Sequence, residues 1–150
     1  MTKLEREIEI DAPPDVVYDV VADPDCLGEW VTIQEELEEA PEGDLEPGSR
    51  LRQRMKIAGQ RFRLSWTVVE AERPTRIVWN GRGPMGTSAK AIYELRRDGD
   101  GRTTFSYLNE YALPGGVAGR LAGRAISAAS GREADRTLRR LKKLVEARAG

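Results

Sequence analysis

The chain has 150 residues, 39% of them hydrophobic and 33% charged, with a formal net charge of -1. That length suits one domain spanning residues 1–150 with a substantial core, and the near-neutral balance argues against nucleic acid as the main partner. Histidine is absent and Cys26 is the sole cysteine, which removes imidazole bases, histidine-dependent triads, most zinc sites and any internal disulfide.

A single thiol fits a reducing, cytoplasmic location. No run approaches a membrane span, and the charged start Met1–Arg6 lacks the apolar region of a signal peptide. Leu4 to Ile10 alternates, with Leu4, Ile8 and Ile10 on one face and Glu5, Glu7 and Glu9 on the other, which predicts a half-buried strand. Asp11-Ala12-Pro13-Pro14-Asp15 reads as a helix start, with an acidic cap candidate and proline in the first turn. Val16, Val17, Val20 and Val21 form the apolar stripe of that short helix. Asp23-Pro24 ends it and begins a second short one carrying Leu27 and Trp30.

An acidic strand and loop come next, with Glu35, Glu36, Glu38, Glu39, Glu42, Asp44 and Glu46 before Pro47-Gly48. Arg50 to Ile57 alternates again, placing Leu51, Gln53, Met55 and Ile57 opposite Arg50, Arg52, Arg54 and Lys56. Ala58-Gly59-Gln60 is a tight reversal into a strand with Phe62, Leu64, Trp66 and Val68 inside and Arg61 and Arg63 outside. Arg73-Pro74-Thr75 turns the chain into Ile77-Val78-Trp79, and Gly81–Gly86 turns it again. Ala89, Ala91, Tyr93 and Leu95 share a face of the following strand. Asp98-Gly99-Asp100-Gly101 signals a hairpin, and Thr103 to Leu113 sets Phe105, Tyr107, Asn109, Tyr111 and Leu113 on one side. About seven strands result.

From Pro114 to Gly150 no further proline occurs, so the stretch reads as one long helix. Its second half is amphipathic through Ala134, Leu138, Leu141 and Val145. Its first half, Gly115–Gly131, is dominated by glycine and alanine, with Val117, Leu121 and Ile126 as the sizeable apolar side chains. Each interior glycine costs about 1 kcal/mol against alanine, so packing or space must compensate. A helix thinned in this way serves as the lid of a cavity.

The order strand, two short helices, six strands and long helix resembles the helix-grip fold of the START-like (SRPBCC) superfamily, which includes polyketide cyclase/dehydrase-like proteins. Ile8-Glu9-Ile10-Asp11-Ala12-Pro13-Pro14-Asp15-Val16-Val17-Tyr18 looks like the family's entry motif, and Asp23-Pro24 with Leu27 and Trp30 like its second helix. Val68-Val69-Glu70 through Pro74 to Ile77-Val78-Trp79 resembles its central hairpin, and Thr103–Leu113 with Pro114-Gly115 its last strand and turn. The resemblance implies an α+β fold, a seven-stranded curved antiparallel sheet wrapped around a long C-terminal helix. It also implies a sheet–helix cavity for lipids, sterols, hormones or polyketides, in which some members catalyse cyclisation or dehydration. No catalytic motif of the family is matched, and fold alone does not set function.

Trp30, Trp66, Trp79, Tyr93, Phe105, Tyr107 and Tyr111 fall on predicted inner faces opposite the small-residue helix. They read either as an ordinary core or, as the resemblance favours, as an aromatic pocket. Asn109 and Gln53 are inner-face amides that need partners, from protein, water or the oxygens of a ligand. The expected ligand-binding set is Trp30, Gln53, Met55, Trp66, Trp79, Tyr93, Tyr107, Asn109, Tyr111, Leu121 and Ala125. A cyclase would need a base; Glu70 lies at a strand end and Glu110 points outward, so both are expected in solvent.

The basic face Arg50, Arg52, Arg54, Lys56, Arg61 and Arg63 is expected to pair with the neighbouring acidic segment, and the cationic end of the final helix to be solvated. Cys26 beside Asp25 is expected to be unreactive, and Gly81–Gly86 lacks the ending of a phosphate loop. The leading expectation is a cytoplasmic monomer or homodimer that binds a small hydrophobic or aromatic molecule, with no metal, cofactor, nucleic acid or membrane span. A polyketide cyclase/dehydratase-type enzyme acting in the same cavity is the alternative. A protein-interaction module working through the charged hairpin is a further one.

Overall fold

The computed structural model describes residues 2–112 and 117–149, and the side chains of all of these except 2, 117–123 and 125–127. Strand β1 (Thr2–Ile10) leads into helix α1 (Pro14–Val21), a 3-10 turn at Pro24–Cys26 and helix α2 (Leu27–Trp30). Six strands follow: β2 (Gln34–Glu39), β3 (Arg50–Ile57), β4 (Gln60–Glu72), β5 (Arg76–Arg82), β6 (Ser88–Arg97) and β7 (Thr103–Ala112). Helix α3 (Val117–Ala149) closes the order. The expected helix opening at 114–116, and Leu113 with it, lie outside the described residues.

The seven strands form one antiparallel sheet in the order β1-β7-β6-β5-β4-β3-β2. Helix α3 touches β1 at one edge and β3 near the other, as well as α1 and α2. A flat sheet could not bring both margins to one helix, so the sheet curves around α3 as a grip. Register shifts where β2 meets β3 and where β4 passes Val68 and Glu70 are bulges that add to the bend.

Local chemistry explains the elements. Helix α1 starts at Pro14 with Pro13 as its cap residue and no side-chain capping bond. The expectation that Asp11 caps it is therefore corrected. Asp11 lies too far upstream, its amide donates to Glu146 at 2.8 Å, and its carboxylate accepts from Arg102 at 3.0 Å. Asp23 is the acid that caps, accepting from the Asp25 amide at 3.0 Å ahead of the Pro24–Cys26 turn. Between β3 and β4, Ala58 and Gly59 both take positive φ (51° and 76°), the geometry of a two-residue hairpin turn that matches strand twist.

On the outer face, Arg52 pairs with Glu39, Arg54 with Glu36, Arg61 with Glu35 and Arg63 with Glu38, as the adjacent charge blocks predict. At the cationic end of α3, Lys142 is not simply solvated: it pairs with Glu146 and donates to the Glu9 carbonyl of β1.

Two kinds of interior result. One end is solid. Ile10, Val17, Val20, Val21, Trp30, Ile77, Phe105, Leu141 and Val145 are each at most 1% exposed. These side chains lock α1, α2 and the C-terminal half of α3 onto the sheet. The other end, beneath Ser130 to Thr137, is hollow. Arg6 shares the inward parity of Leu4 and Ile8, and it crosses to α3 to bind Asp135 at 2.9 Å. A Cβ on Gly131 would stand 3.1 Å from the Arg6 guanidinium, so this glycine makes room for that link.

Candidate functional site

The cavity holds about 130 Å³ and is walled by β1, β3 to β7, the segment Leu27–Ile33 and α3. An engineered apolar cavity of roughly 150 Å³ takes up benzene, so a space of this size holds about one six-membered ring without rearrangement. Trp30, Gln53, Met55, Trp66, Trp79, Tyr93, Tyr107, Asn109 and Tyr111 all line it. The side chains of Leu121 and Ala125 lie outside the described residues. Phe105 faces inward but belongs to the solid end, stacked edge-on to Trp30 at 6.5 Å and tilted against Tyr93 at 5.5 Å.

The strand register arranges this lining in rows, because directly opposed residues of antiparallel strands share a face. Trp79 on β5, Ala91 on β6 and Asn109 on β7 form one row, ending at Leu4 on β1. Leu51, Trp66, Gly81, Ala89 and Tyr111 form the next. In the second row Trp66 and Tyr111 flank Gly81 and Ala89, and in the first Trp79 stands beside Ala91, so small residues neighbour the large rings.

Gly81 is required for a close approach. A Cβ there would fall 2.7 Å from the Trp66 ring. That ring is tethered, since its indole N–H donates to Gln53 Oε1 at 2.7 Å while the Gln53 amide donates to Gln34. Gln53 is thus satisfied within the protein. Gly81→Ala should displace Trp66, break that bond and cost about 1–3 kcal/mol in chemical denaturation. An unchanged midpoint would refute this account of the row.

Other polar groups are not satisfied. Among the described residues, the indole nitrogens of Trp30 and Trp79 and the Asn109 Oδ1 are buried without a hydrogen-bond partner, although the Asn109 amide nitrogen donates to the Tyr107 hydroxyl at 3.1 Å. Burial pushes Tyr107 up to about 12, opposed by the Asn109 hydrogen bond and helped by Tyr111. Burial raises Tyr93 as well, with Tyr107 adding to the effect. These phenols stay protonated near neutrality and are donors rather than bases.

A phenol in the unfolded chain ionises near 10.0, whereas folded Tyr107 resists to about 12. The stability it contributes is therefore whole below the first value and lost as the pH rises through the second. In an alkaline titration, the last tyrosinate absorbance should appear together with loss of near-ultraviolet dichroism. Full ionisation with the dichroism intact would contradict the burial of these rings.

Sequence reasoning missed the polar wall contributed by α3. Ser130, Glu133 and Thr137 line the cavity beside Ala134. Glu133 accepts from the Thr32 hydroxyl and, through its other oxygen, from Arg136 at 3.0 Å; Thr137 Oγ1 lies 3.0 Å from Thr32 Oγ1. The signal was present as positions 130, 133, 134 and 137, one stripe at helical spacing. Glu70 and Glu110 do not reach the cavity and pair with Arg76 and Lys3 instead.

Cys26 is buried and its thiol is pushed up, first by burial and then by Asp23. The acid responsible is Asp23, whose carboxylate takes the thiol hydrogen bond at 3.5 Å, rather than Asp25. Among the described residues no cluster of acidic or cysteine side chains could hold a metal ion, and no helix is long and apolar enough to cross a membrane.

Comparison with known proteins places this geometry. The family model described as "Polyketide cyclase / dehydrase and lipid transport" matches residues 1–146. Two curated Mycobacterium tuberculosis proteins, Toxin Rv0910 and Toxin MT0934, are each 28% identical over 95 residues, 63% of this chain. The match spans 66% of the length of each relative. Among solved structures, the Zhui aromatase/cyclase from a Streptomyces species superposes with a TM-score of 0.84 at 14% identity, covering 99% of this chain and 96% of that one. Protein TTHA0849 from Thermus thermophilus superposes with a TM-score of 0.81 at 18% identity, covering 99% and 100%. At these identities the solved structures establish the shared fold.

Proposed function

Because the chain belongs to the polyketide cyclase/dehydrase and lipid transport family, we propose that it binds a small hydrophobic or aromatic molecule between the sheet and α3. One observation carries the reading: a cavity of about 130 Å³ lined by Trp30, Trp66, Trp79, Tyr93, Tyr107 and Tyr111. Burying a single ring there removes apolar surface on both sides from water, at roughly 25 cal/mol per Å². Titration with a one-ring aromatic such as toluene should give a saturable change in the fluorescence of the tryptophans that line the cavity. Absence of any saturable binding would overturn the proposal.

Glu133 favours a second reading, an enzyme of the cyclase/dehydratase type. Such chemistry needs a carboxylate facing the substrate, and Glu133 lines the cavity while Tyr93 and Tyr107 remain protonated. On this reading, Glu133→Gln abolishes turnover of an aromatic polyketide mimic but leaves binding of the one-ring probe intact; equal turnover excludes it. The interaction-module reading has less support, because the outer hairpin arginines already face glutamates across the strands.

A further inference from the structure

Resting on the ligand-binding reading, we propose that the molecule held between the sheet and α3 is a small aryl amine, bound as its cation, and that Glu133 selects it. Among the described residues lining the cavity, Glu133 alone belongs to the charged residue types. The buried phenols Tyr93 and Tyr107 stay protonated, so they add no charge. The described lining therefore offers a carboxylate and no cation. A ligand carboxylate or phosphate finds no counterion there, whereas an ammonium does.

Thr32 sets where that carboxylate stands. Glu133 accepts from the Thr32 hydroxyl, and Thr32 Oγ1 lies 3.0 Å from Oγ1 of Thr137, itself part of the lining. The carboxylate is thereby held where the segment Val31–Ile33 meets α3, at the wall of the cavity and not on its aromatic floor. Its side chain is 25% exposed, so a donor can reach it. Each carboxylate oxygen has two acceptor sites, and the bonds from Thr32 and Arg136 use one on each. Arg136 does not cancel the charge for a ligand, because its side chain is 53% exposed and solvent screens a pair of that kind.

Size and surface narrow the class further. A space of about 130 Å³ takes one ring. Ser130 and Thr137 flank Glu133 along one stripe of α3, so side-chain oxygens gather on the helix side. On the sheet side stand Trp66, Trp79, Tyr93, Tyr107 and Tyr111, and aromatic faces attract cations. An ammonium on a one-carbon arm donates to the α3 oxygens while its ring lies against the sheet. A fatty acid or aryl carboxylate would instead set a second negative charge beside Glu133, with no described cation in the lining to offset it.

A matched set of one-ring probes, read through tryptophan fluorescence at neutral pH, tests this. Benzylamine is a cation, benzyl alcohol and toluene are neutral, and benzoate is an anion. A hydrogen bond to a charged partner is worth about tenfold or more in affinity. Benzylamine should therefore bind at least about tenfold tighter than benzyl alcohol, with benzoate the weakest of the set. Glu133→Gln keeps the length of the side chain, removes its charge and should erase the advantage of benzylamine over benzyl alcohol. If benzyl alcohol or benzoate binds as tightly as benzylamine, or if the advantage survives Glu133→Gln, this inference is wrong although the cavity still binds ligands. Should the variant not fold, the ranking in the unmodified protein decides alone. If no probe gives a saturable change, the ligand-binding reading itself fails.

Discussion

Phe105→Ala should lower the free energy of unfolding by about 3–5 kcal/mol, a large share of the roughly 5–15 kcal/mol of a typical domain. Phe105 is 0% exposed, and its ring meets Trp30 edge-on and Tyr93 at a tilt. These contacts join β7, α2 and β6, so truncation removes apolar burial, ring–ring attraction and the element that orients Trp30. Met55→Ala is the control. Met55 is also buried but borders space that is already empty, so fewer contacts are lost and the cost should sit near the low end, about 2 kcal/mol. Urea unfolding, read as midpoints at constant slope, measures both. Equal losses would mean that the division between solid and hollow ends is misplaced.

That division explains how much of the molecule was legible in the chain. Alternation at Leu51, Gln53, Met55 and Ile57, or at Phe105, Tyr107 and Tyr111, names the inner face because a strand has period two and this sheet buries one face. The spacing of Ala134, Leu138, Leu141 and Val145 likewise names the buried stripe of α3. Pairing across distance was not legible. The glutamine at 53 looks identical in sequence whether it waits for a ligand or, as here, links Trp66 to Gln34. Arg6 looks like a break in an apolar face until Asp135 is seen opposite it on α3.

Glu133 was hidden by a different cause. A carboxylate in a helix rich in arginine reads as solvated, and Thr32, which brings it to the cavity wall, lies 101 positions away. The two amides show the same limit from opposite sides. Both sit at inward positions flanked by large apolar residues, yet one is internally satisfied and the other has an oxygen without a partner among the described residues. Period and composition locate a cavity wall; only tertiary contacts decide which of its polar groups remain available.

Ala91→Phe should reduce ligand affinity by at least about a hundredfold while leaving the protein folded. Ala91 is 5% exposed, lines the cavity and sits midway along β6 between Trp79 and Asn109. A benzyl side chain at this point fills the cavity volume proposed for the ligand. A loss of about 2.7 kcal/mol corresponds to that hundredfold change. Filling a void with apolar atoms is neutral or stabilising where the new side chain fits, and overpacking costs about 1–3 kcal/mol where it does not. Titration with the one-ring probe beside urea unfolding separates the two effects. Retained affinity in a folded Ala91→Phe variant would place the bound molecule somewhere other than the hollow over β6, and the sheet–helix cavity would have to be abandoned as the binding site.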